Sequence, residues 1–426
     1  MTSTHTLDLA ARARTRARAR TACVVIVLAG DHPCLYPLPL SHGEIVLGRG
    51  DPGSGIDDGA VSRQHCRVTL SGDTWRIEDL GSRNGTFVDA ELIGGAPIER
   101  AAPRVVRIGS TLLVPMRDLD GLDPEQLRHA DRPVIGAALG RAHRRIAAYA
   151  AESSVLHLTG ESGSGKELAA RRFHDAGPRA RGPFVAVNCA TLPGHLAERL
   201  LFGARRGAYT GATEDAPGLL HAARGGTLFL DEVAELDRAV QAKLLRFVES
   251  GEAWPLGATA PTRIELGVCS ATHVDLSQAV REGSFRADLW FRLGAPVVSV
   301  PPLRERPEEI VWHAAHALAP TGLAMHVSLA ERCLLSPWPG NVRELRSAVR
   351  HAATEARLRR ASEARAEDLP VRPSSSPPAP CERGPDEVRD ALRAHKGNVS
   401  ATARALGMHR TQLRRVLAKV PLDPEE

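Results

Sequence analysis

The sequence predicts a multidomain chain in three fold classes: an all-β sandwich, an α/β nucleotide-binding core with a helical lid, and an all-α tail. Three observations carry this reading. From Cys23 to about Met116, short apolar runs alternate with Gly, Pro, Asp and Asn turns. The strand-like run Val155 to Thr159 enters a glycine-rich turn, and Gly165-Lys166 then opens a helical-looking segment. Near the end, three helical runs follow a Pro/Ser-rich stretch, and the four-residue break A-L-G-M separates the last two.

At 426 residues and 45.7 kDa, the chain has room for two to four domains, each with its own core. A hydrophobic share of 43% with 25% charged residues fits a globular protein, and the longest apolar candidate, Cys23 to Ala29, is strand-sized rather than membrane-sized. A cytoplasmic location without membrane contact is the expectation. The seven cysteines (23, 34, 66, 189, 269, 333, 381) are scattered with no C-x-x-C, which argues for reduced thiols and against structural zinc. A net charge of +5 marks a nucleic-acid binder only where basic residues cluster, and they do so at both ends.

Residues 1–21, ending in alternating Ala and Arg, read as a disordered basic tail. The strands of residues 22–117 are expected at Val24 to Leu28, Ile45 to Leu47, Arg67 to Leu70, Trp75 to Asp79, Thr86 to Val88, Val105 to Ile108 and Thr111 to Val114. Three ordered blocks, L-G-R-G at Leu47, V-S-R-Q-H at Val61 and D-L-G-S-R-N-G-T-F-V at Asp79, resemble the forkhead-associated (FHA) domain. That resemblance implies phosphothreonine binding on the connecting loops, with Arg49 and Ser62 on the phosphate, Arg63 assisting, and Arg83 and Asn84 on the peptide backbone. The chemistry agrees, since a guanidinium beside a hydroxyl makes charge-assisted bonds to a dianionic phosphate. His65 is expected to orient the loop.

Residues 118–132 read as a polar linker, and a new domain spans 133–369. Its phosphate cradle is Gly160, Glu161, Ser162, Gly163, Ser164, Gly165, Lys166 and Glu167: backbone N–H groups and a helix start surround an anion, and Lys166 reaches the outer phosphates of ATP. Glu167 stands where a hydroxyl would hold Mg²⁺, so the metal must lean on another carboxylate. Asp231 and Glu232 end an apolar strand about 65 residues later, in the places of a metal partner acting mostly through water and of the group that activates the attacking water.

Further stretches resemble the central AAA+ domain of sigma-54-dependent transcription activators: F-V-A-V-N-C-A-T-L at Phe184, L-F-G-A-R-R-G-A-Y-T-G-A at Leu201, G-G-T-L-F-L-D-E-V at Gly225, F-R-A-D-L-W-F-R-L at Phe285, P-P-L-R-E-R at Pro301 and W-P-G-N-V-R-E-L at Trp338. The resemblance implies an ATPase ring, expected to be a hexamer assembled from dimers, with nucleotide between subunits. Arg286 and Arg292 would act in trans as arginine fingers, Arg343 would be the sensor II arginine, Asn188 would pair with Glu232 as a switch, and Thr272-His273 would form sensor I. The loop Gly207, Ala208, Tyr209, Thr210, Gly211 and Ala212 would touch sigma-54 and push on the closed polymerase complex. Tyr209 replaces the family's Phe, Ala204-Arg205-Arg206 its usual His-Glu-Lys, and Leu200 its usual Glu, while Pro255 interrupts the family's usual arginine near Gly257. Residues 301–369 match the helical lid, with helices expected at Pro307 to Leu318, Ser328 to Ser336 and Asn341 to Arg360.

After a linker at 370–385, residues 386–420 resemble a Fis-type helix-turn-helix. His409, Arg410, Thr411, Gln412, Arg414 and Arg415 would face enhancer DNA, with dimeric tails reading an inverted repeat. The combined expectation is an activator that remodels sigma-54 RNA polymerase and answers to phosphothreonine on a partner protein or a neighbouring subunit. Two rivals fit parts of the chain: an AAA+ remodelling chaperone with FHA client selection, and an FHA–DNA adaptor whose ATPase is uncoupled.

Overall fold

The structure, a computed structural model, describes residues 22–50, 56–122, 134–192, 194–209 and 212–370. The expected helix-turn-helix and its DNA-facing residues lie outside them, as do Thr210 and Gly211.

The first module is a sandwich. Strands β1 (Cys23–Ala29), β2 (His32–Pro39), β6 (Thr86–Val88), β7 (Glu91–Leu92), β9 (Val106–Ile108) and β10 (Thr111–Met116) form a sheet ordered β2-β1-β10-β9-β6-β7. Against it lies a second sheet, β3 (Glu44–Leu47), β4 (Cys66–Ser71), β5 (Thr74–Asp79) and β8 (Ile98–Arg100). Alternate side chains from the two sheets, among them Val24, Ile26, Val68, Trp75, Ile77 and Ile108, fill the space between. The sequence pattern missed β2, whose three prolines argue against a strand. It is an edge strand, where a missing N–H on the outer side costs no ladder bond.

The second module has a parallel sheet ordered β12-β13-β14-β11-β15, made of β11 (Val155–Thr159), β12 (Phe184–Asn188), β13 (Thr227–Asp231), β14 (Gly267–Thr272) and β15 (Val297–Ser299). Helix α1 (Ala137–Glu152) leads into β11, and α2 (Lys166–Ala176) follows it. α3 (Gly194–Phe202), α4 (Arg238–Ser250) and α5 (Ala287–Leu293) surround the sheet's other side chains, and the lid is α6 (Pro307–Leu318), α7 (Val327–Leu335) and α8 (Asn341–Leu358). The predicted lid helices differ from these by no more than two residues at either end.

Strand β1 reads as a continuous apolar run because both its faces are buried. Val24 and Ile26 point into the sandwich, whereas Cys23, Val25 and Val27 join Leu112 and Val114 in a core shared with Ile310, Val311, Ala314, Leu329, Cys333 and Trp338 of the lid region. A bulge between Ile26 and Leu28 turns Leu28 to the lid side as well. Residues 118–122, read as the start of a linker, are also held: Leu119 and Leu122 pack on this core, and the carbonyl of Asp120 accepts from Arg141 at 2.5 Å.

The lid also caps the core domain. Helix α1 has no side-chain cap of its own, and its first N–H groups are taken by lid carboxylates: Gly136 N–H donates to Glu309 Oε1 at 2.6 Å and Ala137 N–H to Glu308 Oε1 at 2.7 Å. Both glutamates are buried. Burial, and then the neighbouring Glu309 charge, push the Glu308 carboxyl up to about 7. The folded chain therefore keeps a proton that the unfolded chain releases near 4.5, so this stabilisation is complete below pH 4.5 and is lost as pH rises through about 7. We expect wild-type stability to fall between pH 5 and pH 8 by on the order of 3 kcal/mol more than that of Glu308→Gln. Urea midpoints of both proteins across that range would show it, and parallel curves would refute it.

Candidate functional site

Three places gather chemically active side chains: the turn after β11, the loop edge of the sandwich, and the Tyr209 loop. In the turn, Gly165 is left-handed (φ +102°) and caps α2, so Lys166 opens the helix from a buried position. Its Nζ donates to the carbonyl of Gly160 at 3.0 Å and stands 3.5 Å from Glu232 Oε1. Asp231 ends β13, and Glu232 follows in a left-handed backbone (φ +52°). Burial foremost, then the Glu232 charge, raise the Asp231 carboxyl against the pull of Lys166. Burial works the same way on Glu232, but the bond from His273 and the Lys166 charge bring it below the usual range.

The expected partner of Glu232 is not the one observed. Asn188 Oδ1 accepts from the N–H of Ala190 at 2.9 Å and caps the turn after β12. Glu232 Oε2 instead meets His273 Nδ1 at 2.7 Å, with the His273 N–H at 3.3 Å. Both neighbours flank β13: Asn188 of β12 uses its Oδ1 on the turn that follows it, whereas β14 on the other side delivers Thr272-His273 to Glu232.

The lid grips the cradle from outside. Asn341 Nδ2 donates to the Ser162 carbonyl and to Glu161 Oε2, each at 3.0 Å; Val342 N–H donates to the Gly163 carbonyl at 3.2 Å, and Arg306 Nη2 to the Ser164 carbonyl at 2.8 Å. In a trans peptide, a carbonyl drawn outward turns the next N–H the other way. The lid thus aims the N–H groups of Gly163 and Gly165 inward. A Cβ on Gly163 would stand 2.4 Å from the Gly340 carbonyl, so only glycine fits. Arg304 pairs with Glu161 at 2.7 Å, and Arg343 Nη1 reaches Ser162 Oγ at 3.3 Å. Sequence reasoning gave Arg343 a role here and gave Arg304, Arg306 and Asn341 none, although the last three sit in the quoted motifs.

On the sandwich, Ser62 Oγ accepts from Arg83 N–H at 3.1 Å, and Asn84 Nδ2 donates to the Ala60 carbonyl at 2.7 Å. The Arg49 N–H donates to the Ser62 carbonyl at 2.9 Å, and the side chains of Arg49, Arg63, Arg83 and Asn84 are exposed. His65, fully buried, meets the Ser62 N–H at 3.1 Å and the Gly85 carbonyl at 3.1 Å, so it braces both loops without reaching the surface. Burial opposes ionisation of Asp79, but bonds from Ser82 and Thr86 hold its carboxyl below the usual range.

In the third place, Tyr209 is 40% exposed, and its hydroxyl accepts from Arg199 at 2.6 Å, the partner that the added oxygen calls for. Gly207 N–H donates to the Ala212 carbonyl at 2.9 Å, closing the loop, and Ala208 touches the neighbouring Gly257 turn, where a Cβ would come within 2.8 Å. Arg205 pairs with Asp215. Arg286, just before α5, pairs with Asp288 at 2.7 Å, and Arg292 on α5 lies 3.7 Å from Glu249; between them in sequence Phe291 is 79% exposed.

Comparison with known proteins adds three family matches: the Sigma-54 interaction domain over residues 135–299, the FHA domain over 45–113, and the Fis family of bacterial regulatory proteins over 386–419. The hydrogenase transcriptional regulatory protein HoxA of Cupriavidus necator is 37% identical over 306 residues, covering 66% of this chain and 62% of that one. GlrR of Escherichia coli K12 is 38% identical, covering 64% of each chain, so this chain spans less than two thirds of both relatives. The nitric oxide reductase transcription regulator NorR1 of C. necator is 36% identical over 87% of this chain and 82% of its own. Among solved structures, NtrX from Brucella abortus superposes with a TM-score of 0.53 at 29% identity, covering 68% of this chain and 69% of that one. Its complex with ATP gives 0.51 at 28%, covering 70% and 74%.

Asn341 combines four hydrogen bonds with a left-handed backbone (φ +54°). We expect Asn341→Ala to cost about 2–4 kcal/mol, and Asn341→Gly about 1 kcal/mol less because it relieves the backbone. Chemical denaturation of the two variants measures both, and equal losses would show that the side-chain bonds alone matter.

Proposed function

The chain belongs to the sigma-54-dependent transcription regulators, and from that premise we propose that it is an ATP-driven activator whose FHA module answers to phosphothreonine. The observation that supports it best is the convergence of Lys166, Asp231, Glu232 and Arg343 on one cradle in a chain that also carries the Tyr209 loop. ATP phosphates would settle on the inward N–H groups, with Lys166 turning from the Gly160 carbonyl to the outer phosphates. Among the described residues no group of three or more His, Cys, Asp or Glu forms a metal cage. Asp231 therefore suits a Mg²⁺ that arrives on the nucleotide and keeps phosphate and water ligands, where it would neutralise charge on the transferred phosphoryl group.

Glu232 is the base that positions and deprotonates the attacking water, and to do so it exchanges its bond to His273 for one to that water. Arg286 and Arg292 make no hydrogen bond to their own cradle among the described residues, and the exposed Phe291 between them suits burial against a second copy. This favours the reading in which both arginines act in trans in a ring, expected to be a hexamer assembled from dimers. The Tyr209 loop, with its exposed aromatic tip, would pass the stroke to sigma-54 RNA polymerase. The Fis-type tail would tether the ring to enhancer DNA through the basic residues from His409 to Arg415. Among the described residues no helix is long and apolar enough to cross a membrane.

On the sandwich, Arg49 and Ser62 would take the phosphate of a phosphothreonine segment, Arg63 would assist, and Arg83 with Asn84 would hold its backbone. We expect this protein to open a sigma-54 promoter with ATP and not with a non-hydrolysable analogue; permanganate footprinting reports the opening. A ring that consumes ATP while the promoter stays closed would overturn the proposal. Glu232→Gln should keep nucleotide binding and lower turnover about 100-fold or more. Arg49→Ala should weaken phosphothreonine peptide binding about tenfold or more in calorimetric titration.

A further inference from the structure

Arg104 bridges the sandwich and the end of the lid helix α7. The strand that follows the Arg83–Gly85 loop, β6, is succeeded by Asp89, whose Oδ1 accepts from the N–H groups of Arg104 (2.8 Å) and Val105 (3.0 Å). Asp89 N–H donates in return to the Val105 carbonyl at 3.0 Å. The backbone of Arg104 is thus set by the far end of the strand that carries the peptide loop. Its side chain leaves the sandwich and donates to the last carbonyls of α7, from Nη1 to Leu335 at 2.5 Å and from Nη2 to Ser336 at 3.0 Å. A cation there also suits the negative end of the helix.

Two residues further, the buried Trp338 ties its indole N–H to the Cys333 carbonyl at 2.7 Å, and the chain then enters Gly340–Arg343, the segment that grips the cradle. A second strut runs in parallel. The Arg107 guanidinium lies 3.7 Å over the Phe87 ring of β6, and its Nε donates to Glu331 Oε2 of α7 at 3.0 Å. One strut starts on β6 at Phe87 and the other on Asp89 just after it, and both end on the helix that precedes the nucleotide grip.

We infer that Arg104 is a positioning residue for the nucleotide site of its own chain: by holding the end of α7 it sets Trp338–Arg343 against the phosphate cradle. It does so from a backbone fixed by Asp89, at the far end of the strand that the peptide loop leads into, so nucleotide and phosphothreonine peptide are linked ligands through that strand. Linkage is reciprocal: whatever factor the peptide applies to nucleotide affinity, the nucleotide applies to peptide affinity. The nucleotide arm of this inference rests on the ATPase reading, and the peptide arm on the phosphothreonine reading of Arg49 to Asn84.

The test uses the full chain with a fluorescent ATP analogue, ADP and a degenerate phosphothreonine peptide pool. Arg104→Ala should raise the nucleotide Kd and the KM for ATP five- to tenfold with kcat within twofold, and Arg104→Lys, which can still reach one carbonyl, should recover part of this. A lowered thermal midpoint with unchanged Kd in both variants would assign Arg104 a purely structural role and overturn the inference. In the wild type, saturating peptide should shift the nucleotide Kd by a factor that nucleotide returns on the peptide Kd. Arg104→Ala should bring that factor closer to one, the remainder passing through Arg107 and Glu331, while peptide affinity in the absence of nucleotide stays unchanged. Peptide binding with no such factor in the wild type overturns the linkage; no peptide binding at all overturns the phosphothreonine reading and the linkage with it, and leaves the nucleotide arm decided by its own measurement.

Discussion

The described chain depends on one strand being apolar on both faces. Because β1 buries Val24 and Ile26 inward and Cys23, Val25 and Val27 outward, the sandwich and the lid are built on a common core rather than on a tether. Magnitudes say which force holds them. Each fully buried Val or Leu is worth about 1.5–3 kcal/mol over exposure, and the sandwich alone contributes Val25, Val27, Leu28, Leu112 and Val114. A largely buried ion pair such as Arg107–Glu331 regains in attraction little more than its two charges lose on leaving water. Apolar burial therefore joins the modules, and the arginines select the register in which they join.

The same division of labour recurs at the cradle. Packing brings Gly163 to the Gly340 carbonyl, and polar groups then orient what packing has placed: Asn341, Arg306 and Val342 take three consecutive carbonyls. The Glu232 carboxylate is treated differently. It sits among Lys166, Thr272 and His273, all of which favour its ionised form, so it is held as a charged group by neighbours from two other strands' ends.

Much of this was legible in the sequence, for identifiable reasons. The lid helices could be read because their apolar positions recur at helical spacing between prolines and glycines, and the glycine-rich turn because its mechanism requires a strand before and a helix after. The family blocks located Arg49, Ser62, Arg83 and Asn84 on one loop edge. Three things escaped. β2 was hidden by prolines that are harmless at a sheet edge. The His273–Glu232 contact depends on which strands lie side by side, and a parallel sheet reorders its strands relative to the chain. The outward face of β1 showed as an unbroken apolar run, yet nothing local could say that its cover lies nearly 300 residues away.

That cover bears on how such chains can be recombined. Regulatory modules in bacterial activators invite exchange, as though any sensor could be fused to any motor. Here, grafting a different front end onto residue 133 would strip α6 and α7 of their lining and leave an oily patch on the motor, prone to self-association. A chimera would have to carry the outer face of β1 and β10 with it, so the unit of inheritance is the sandwich and lid together.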